Sequence, residues 1–215
     1  GGNGTDSVLG AGGNDSIIEL DSDDAGNDTL NGGAGTDYIY GAAGNDSLFT
    51  GGGDDTLIGG AGNDSLTQGG GNATDNNDSM LGGDGDDIIN GGGGQNTLIG
   101  GNGTDSVLGG GGNDSIIELD SDDAGNDTLN GGAGTDYIYG AAGNDSLFSA
   151  GGEDTLIGGA GNDSLTQGGG TNTTNNDSML GGDGDDRING GGGHNTLLGG
   201  NGTDSVLGAG GNDSI

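Results

Sequence analysis

An apolar residue recurs along the chain at a spacing of nine, apart from two longer steps in each copy, and the residue just before it is mainly Ser or Thr. In the first hundred residues these positions are Val8, Ile17, Leu30, Ile39, Leu48, Leu57, Leu66, Met80, Ile89 and Leu98. A recurring apolar position bounded by glycine-rich segments predicts a short strand with one inward side chain, and the glycine-rich segments predict turns. Because one such unit cannot bury a core alone, we expect stacked units to share one.

An acidic residue stands two positions before each apolar residue and repeats with it. The stretch GGAGTDYIYGAAGNDSLF (32–49) shows two members, Asp37 and Asp46. The full series is Asp6, Asp15, Asp28, Asp37, Asp46, Asp55, Asp64, Asp78, Asp87, Asp105, Asp114, Asp127, Asp136, Asp145, Asp154, Asp163, Asp177, Asp186, Asp204 and Asp213. We call these positions the anchors. Asn96 and Asn195 occupy the anchor position of the tenth unit in each longer repeat.

The nine-residue units are organised into a longer period of 99 residues. Residues 1–99 and 100–198 differ at only ten positions, and residues 199–215 begin a third copy. Insertions lengthen the turns at 19–27, 67–77, 118–126 and 166–176. We therefore expect residues 1–215 to form one continuous repeat domain, a window of a longer tandem array.

The charge of the chain restricts its partners. There are 35 acidic residues against one basic residue, a net charge of −34, and only 26% of residues are hydrophobic. Such a chain has nothing to neutralise phosphate, so we expect no nucleic-acid partner. No apolar run approaches the length of a membrane span, so we expect no membrane insertion. This composition is typical of a disordered chain, so we expect it to fold only with bound metal cations.

The repeat can be written G-G-x-G-x-D-x-U-x, where U is apolar, as in GGNGTDSVL (1–9), GGAGTDYIY (32–40), GGAGNDSLT (59–67) and GGDGDDIIN (82–90). It resembles the RTX, or haemolysin-type calcium-binding, nonapeptide repeat. The resemblance implies an all-β fold, a right-handed parallel β-roll solenoid. In that fold two nonapeptides (18 residues) form each coil, two short-stranded sheets face each other, and Ca²⁺ lies in the turns.

The resemblance also implies that the anchor aspartates are the carboxylate ligands of calcium, together with carbonyl groups of the turns. Ca²⁺ prefers six to eight hard oxygen ligands, which such turns offer. Roughly one ion per aspartate-bearing unit would bring about +40 of charge, close to the charge of the chain. At Asn96 and Asn195 we expect a weaker or absent ion, since an amide oxygen lacks the charge.

One outer face of the roll is expected to be apolar. Alternate units belong to alternate sheets, so the residue after each inward one forms a column along one sheet, which we call the apolar column. In the first copy it contains Ile18, Tyr40, Ile58, Leu81 and Ile99. It favours either self-association through lateral packing or stabilisation of its own sheet by stacking. Rolls could also associate end to end through open sheet edges.

The insertions carry further candidate sites. Residues 19–28 cluster Glu19, Asp21, Asp23 and Asp24, which could hold an extra cation, although a solvated acidic loop is favoured. The second insertion contains Asn72 and Thr74 in an acceptor pattern for glycosylation, where a flexible loop is favoured.

The chain lacks the residues of an active site. Its only histidine, His194, is replaced by Gln95 in the other copy, so we expect no enzyme. Four functions remain: a stiff rod or filament of a bacterial surface or matrix, a rigid spacer of a large RTX adhesin, the secretion and folding repeat of a toxin or hydrolase, and an ice-binding roll. The near-identical 99-residue copy favours a function in which length matters. The filament and the spacer differ only in what flanks this window, and we take the filament as the first hypothesis. We expect a secreted, extracellular location.

Overall fold

The computed structural model describes residues 4–20, 26–69, 76–119, 125–168 and 175–215. Within these ranges the regular structure is entirely β. The strands form two parallel sheets, one of eleven odd-numbered strands and one of ten even-numbered strands. The chain crosses from one sheet to the other after every strand, so it winds as a β-solenoid.

The eleven-stranded sheet contains β1 (Ser7–Leu9), β3 (Thr29–Asn31), β5 (Ser47–Thr50), β7 (Ser65–Gln68), β9 (Ile88–Asn90), β11 (Ser106–Gly111), β13 (Thr128–Ala133), β15 (Ser146–Ser149), β17 (Ser164–Gln167), β19 (Arg187–Asn189) and β21 (Ser205–Leu207). The ten-stranded sheet contains β2 (Ser16–Ile18), β4 (Tyr38–Ala43), β6 (Thr56–Ala61), β8 (Ser79–Asp84), β10 (Thr97–Asn102), β12 (Ser115–Ile117), β14 (Tyr137–Ala142), β16 (Thr155–Ala160), β18 (Ser178–Asp183) and β20 (Thr196–Asn201).

The strand register confirms the coil of two nonapeptides. Ser47 pairs with Ser65, one coil further along the chain. Where an insertion intervenes, the same register resumes, as in the pairing of Ser7 with Thr29. The insertions therefore leave the register of the flanking strands unchanged. Asp21, Asp23 and Asp24 and the acceptor pattern at 72–74 lie outside the described residues.

The core is a double row of the apolar residues that follow the anchors. These side chains are between 0% and 7% exposed, and Val8 and Val206 near the ends pack against them partly buried. The row contains Ile17, Leu30, Ile39, Leu48, Leu57, Leu66, Met80, Ile89, Leu98, Val107, Ile116, Leu129, Ile138, Leu147, Leu156, Leu165, Met179, Ile188 and Leu197. The predicted inward position is thus confirmed through the length of the roll.

Many strands are longer than the three residues that the sequence pattern predicts. Strand β6 runs from Thr56 to Ala61 because its glycine-rich end continues the ladder, with Gly60 opposite Gly83. Gly60 has a φ of 126°, and a Cβ there would overlap the Ala42 carbonyl of the preceding coil. Glycine therefore lets the backbones of successive turns stack as an extension of the sheet.

The apolar column lies on the outer face of the ten-stranded sheet, as predicted. Tyr40 pairs with Ile58, and Ile58 pairs with Leu81. These middle members are half-buried because they cover one another, whereas Ile18 and Leu198 near the ends are 46% and 54% exposed.

Candidate metal centre

The anchor residues line the two edges of the roll, where the turns connect the sheets. The first edge carries Asp6, Asp28, Asp46, Asp64, Asp87, Asp105, Asp127, Asp145, Asp163, Asp186 and Asp204. The second edge carries Asp15, Asp37, Asp55, Asp78, Asn96, Asp114, Asp136, Asp154, Asp177, Asn195 and Asp213. Apart from the members at the two ends of the roll, all of them are at most 3% exposed.

One oxygen of each anchor carboxylate is held by the backbone of the preceding coil. The backbone N–H of Asp46 donates to Oδ1 of Asp64 at 2.8 Å, and that of Asp64 donates to Oδ1 of Asp87 at 2.7 Å. The same bond repeats along both edges. It fixes each carboxylate plane, so the second oxygen points into the turn.

In several anchors the second carboxylate oxygen has no donor. In Asp37, Asp64, Asp78, Asp87 and Asp136 the Oδ2 atom is buried and makes no hydrogen bond. A buried carboxylate oxygen without a donor is costly, because it has lost its water and gained nothing in return. These turns therefore call for a positive group beside each Oδ2 atom.

Where a motif begins with glycine, that glycine leaves room for such a group. A Cβ on Gly82 would overlap Oδ2 of Asp87 and lie 2.6 Å from the carbonyl oxygen of Gly100 in the next coil. A Cβ on Gly109 would lie 2.5 Å from Oδ2 of Asp114 and 2.6 Å from the Gly131 carbonyl oxygen. A carboxylate oxygen and a carbonyl oxygen thus face the same small space, and both are acceptors.

This donor set fits calcium. Carboxylate and carbonyl groups are the hard oxygen ligands that Ca²⁺ prefers. Among the described residues no three His, Cys, Asp or Glu side chains come together as a metal cluster. Backbone carbonyls must therefore supply much of the coordination. The anchors and the glycine carbonyls between successive coils would hold the ion, which would supply positive charge to both oxygens.

Electrostatics of the turns lead to the same conclusion. Burial raises the pKa of Asp64, Asp87 and Asp136 to about 7, although backbone hydrogen bonds oppose the rise. The pKa values of Asp78 and Asp163 rise to about 6 for the same reason. Neighbouring anchor carboxylates add to these shifts. Without a cation the turns thus favour protonated carboxyl groups at pH values where an exposed aspartate is charged.

A second ladder, which the sequence analysis did not find, runs beside the anchors. Where the residue before an anchor is Asn, Asp or His, its side chain accepts a hydrogen bond from the backbone of its equivalent in the next coil, as in Asn45 N–H to Asn27 Oδ1 at 2.9 Å. His194 plays this part through Nδ1, which accepts from the Asn212 N–H at 2.9 Å. The sequence signal for this ladder was the frequent occurrence of Asn and Asp directly before the anchors, since both side chains are short hydrogen-bond acceptors.

One expectation about the insertions is wrong. Glu19 does not belong to a solvated acidic loop, because it is 0% exposed, and so is Glu118 in the second copy. Both residues take the place of the first glycine of a turn, directly after β2 and β12. Oε2 of Glu118 accepts a hydrogen bond from the Gly101 N–H at 3.0 Å. These acids therefore belong to the first edge of the roll.

Comparison with known families matches the repeats to one description, the RTX calcium-binding nonapeptide repeat (4 copies), at residues 1–18, 22–48, 40–75, 72–107, 81–116, 121–147, 143–174 and 180–215. Searches of curated proteins and of solved structures returned no match. Within the part of the chain that the structure describes, no helix is long and apolar enough to cross a membrane. Since the matches cover most of the sequence, the chain belongs to the RTX calcium-binding repeat family, and calcium binding is a property of that family.

The first glycine can be tested as part of the calcium site. In Gly82→Ala the new methyl group fills the space that Asp87 Oδ2 and the Gly100 carbonyl share, so we expect one bound ion fewer per chain and a higher calcium concentration at the folding midpoint. The matched control is Gly111→Ala, because a Cβ there meets nothing within 4 Å. Calcium titration calorimetry measures the number of ions. An unchanged number in Gly82→Ala would show that this space holds no ion.

The raised pKa values predict how the metal-free chain responds to pH. An aspartate whose pKa rises from 3.8 to about 7 on folding opposes folding when it is charged. In metal-free solution the roll should therefore gain stability as the pH falls from 8 towards 4. In the presence of calcium the pH dependence of stability reverses. Protons compete with the ion for the carboxylates, so calcium affinity should fall below about pH 7. Circular dichroism of dialysed protein at pH 8 and pH 5 measures the first effect. Equal or lower β content at pH 5 would contradict it.

Proposed function

We propose that this RTX repeat chain is a calcium-dependent extracellular structural protein, a stiff rod that forms part of a filament of a bacterial surface or matrix. The observation that carries the proposal is the continuity of both edges. Turns that need a cation follow one another on both sides of the roll, and the strands keep their register from one 99-residue block to the next, as in the pairing of Ile89 with Val107.

Calcium is the switch of the proposed function. Without cations the buried anchor carboxylates repel one another and the glycine-rich chain gains little from its narrow core. RTX repeat proteins are typically secreted and meet calcium outside the cell. A chain of this kind remains unfolded where calcium is scarce and becomes rigid where calcium is plentiful. We therefore propose that the chain is exported unfolded and folds outside the cell, with roughly one ion per aspartate-bearing unit.

Length is the property that the repeats provide. Ten units form five coils, so each 99-residue block should add about 24 Å at about 4.8 Å per strand layer. The near identity of the two blocks suits a protein in which length matters more than any one site. A rigid spacer of a large RTX adhesin is the second candidate, since the same rod would hold an adhesive domain away from the cell.

The other candidate functions receive less support. Catalysis has no support in the described residues, where His194 accepts a backbone hydrogen bond in a structural ladder. A secretion repeat of a toxin or hydrolase does not call for near-identical 99-residue blocks. An ice-binding surface needs one uniform residue type, whereas the column before the anchors mixes Asn, Asp and Thr.

Self-association is the proposed route from rod to filament. The outer face of the ten-stranded sheet carries the apolar column beside a column of Ser, Thr and Tyr, both without charge. The acidic anchors lie at the edges, away from this face. Two rolls could therefore approach through this sheet once the ions have neutralised their edges, and the terminal strands offer backbone groups for end-to-end pairing.

Electron microscopy tests the proposed filament. In millimolar calcium we expect long filaments with an axial repeat near 24 Å, because each block adds about five strand layers. Chelation should dissolve them, since the edges lose their cations. Isolated short rods in calcium, with no filaments at any protein concentration, would rule out the filament and leave the spacer.

The proposed lateral contact has its own test. Replacing Ile58 and Ile157 with Ser removes two apolar groups from the column without altering the core, so single folded rods should remain while bundles disappear. Phe49→Ser with Phe148→Ser is the matched control, because both phenylalanines lie on the other sheet at 36% exposure. Light scattering in calcium measures bundling. Equal bundling in the two double variants would show that the column makes no lateral contact.

A further inference from the structure

Two turns of the second edge carry asparagine where every other described turn has an anchor aspartate, and their side-chain orientation is fixed. Oδ1 of Asn96 accepts the hydrogen bond that an anchor carboxylate would accept, from the Asp78 N–H at 2.9 Å. Oδ1 of Asn195 likewise accepts from the Asp177 N–H at 2.8 Å. The amide nitrogen must therefore occupy the position of the carboxylate Oδ2 atom.

The amide nitrogen reverses the polarity of this position. Nδ2 of Asn96 donates to the Gly91 carbonyl oxygen at 3.2 Å, and Nδ2 of Asn195 donates to the Gly190 carbonyl oxygen at 2.7 Å. A Cβ on Gly91 would lie 2.8 Å from Nδ2 and 2.9 Å from the Gly109 carbonyl oxygen. The space that two acceptors face in the aspartate turns is here faced by a donor and an acceptor.

We propose that the side-chain amides of Asn96 and Asn195 replace the cation at these turns, so that the second edge has one metal-independent joint in each 99-residue block. The inference rests on the proposed calcium dependence of the roll. It goes beyond loss of a ligand, because the amide both removes the negative charge and supplies a hydrogen bond to the first glycine carbonyl of its own turn. The joint therefore closes without calcium.

The preceding turn of the same edge supports the inference independently. Gln68 takes the place of the first glycine in that turn and is 5% exposed. Its Nε2 donates to the Gly51 carbonyl oxygen at 2.9 Å, and Nε2 of Gln167 donates to the Ala150 carbonyl oxygen at 3.2 Å. Two successive turns of each block thus use side-chain amides as donors to backbone carbonyls.

The next turn of the same edge is bonded to the same asparagine. The Asn96 N–H donates to Oδ1 of Asp114 at 2.8 Å, so the asparagine keeps its place in the ladder of anchors.

Converting the joints into cation sites tests the inference. In the full chain, Asn96→Asp with Asn195→Asp should bind one more calcium ion for each converted joint and should need a higher calcium concentration to fold. The matched control is Asn63→Asp with Asn162→Asp, which adds the same charge at exposed positions. Their side chains accept from the backbone N–H groups of Asp86 and Asp185, a bond that an aspartate can also accept, as Asp54 does elsewhere in this ladder. Calcium titration calorimetry and circular dichroism measure the two quantities. The control should leave the number of ions unchanged.

The reciprocal change keeps the test decisive if the double variant fails to fold. Asp136→Asn on the same edge should lose one ion, fold in calcium and show no increase in the calcium midpoint, unlike Gly82→Ala, which removes an ion without supplying a donor. The inference is overturned if Asn96→Asp with Asn195→Asp binds the same number of ions as the parent chain, or if Asp136→Asn raises the midpoint as Gly82→Ala does. A parent chain that binds no calcium would instead overturn the proposed function.

Discussion

The structure depends on the approach of two acceptors, a carboxylate oxygen of the anchor and a carbonyl oxygen of the next coil. The core cannot separate them, because the same strands that bury Leu57 and Leu66 fix the spacing of the turns. A fold whose backbone geometry brings acceptors together must obtain positive charge from elsewhere. A calcium ion, a proton on the carboxyl group or a side-chain amide can each provide a positive group at this position. The anchor carboxyl groups of this chain can bind the first two, and Asn96 and Asn195 supply the third.

Glycine makes this arrangement possible in two separate ways. At the first position of the motif, as in Gly82, the absence of a Cβ leaves the space that the two oxygens face. Later in the turn, as at Gly60, a positive φ lets one turn stack directly on the preceding one. The first role concerns the ion and the second concerns the backbone, so substitutions at the two positions should fail for different reasons.

Much of the fold followed from the sequence because a strict period leaves few alternatives. Nine-residue spacing with one apolar residue placed Leu48 and Ile39 in the core and placed the apolar column on one sheet. Side-chain amides and acids in the turns were harder to predict, since Glu19 looks like part of a polar loop until its backbone is seen to replace a glycine of the first edge. The ladder before the anchors was missed because Asn, Asp and His share only their ability to accept a hydrogen bond there.

The two edges of the roll are not equivalent, although the repeat pattern makes them look alike. In each block the first edge gains a buried acid at Glu19 or Glu118, whereas the second edge exchanges an anchor acid for an amide at Asn96 or Asn195. The first edge therefore carries more negative charge than the second, and under the proposed calcium dependence it would need more cations. Because both edges belong to the same coils, a loss of calcium should loosen the roll from one side before the other.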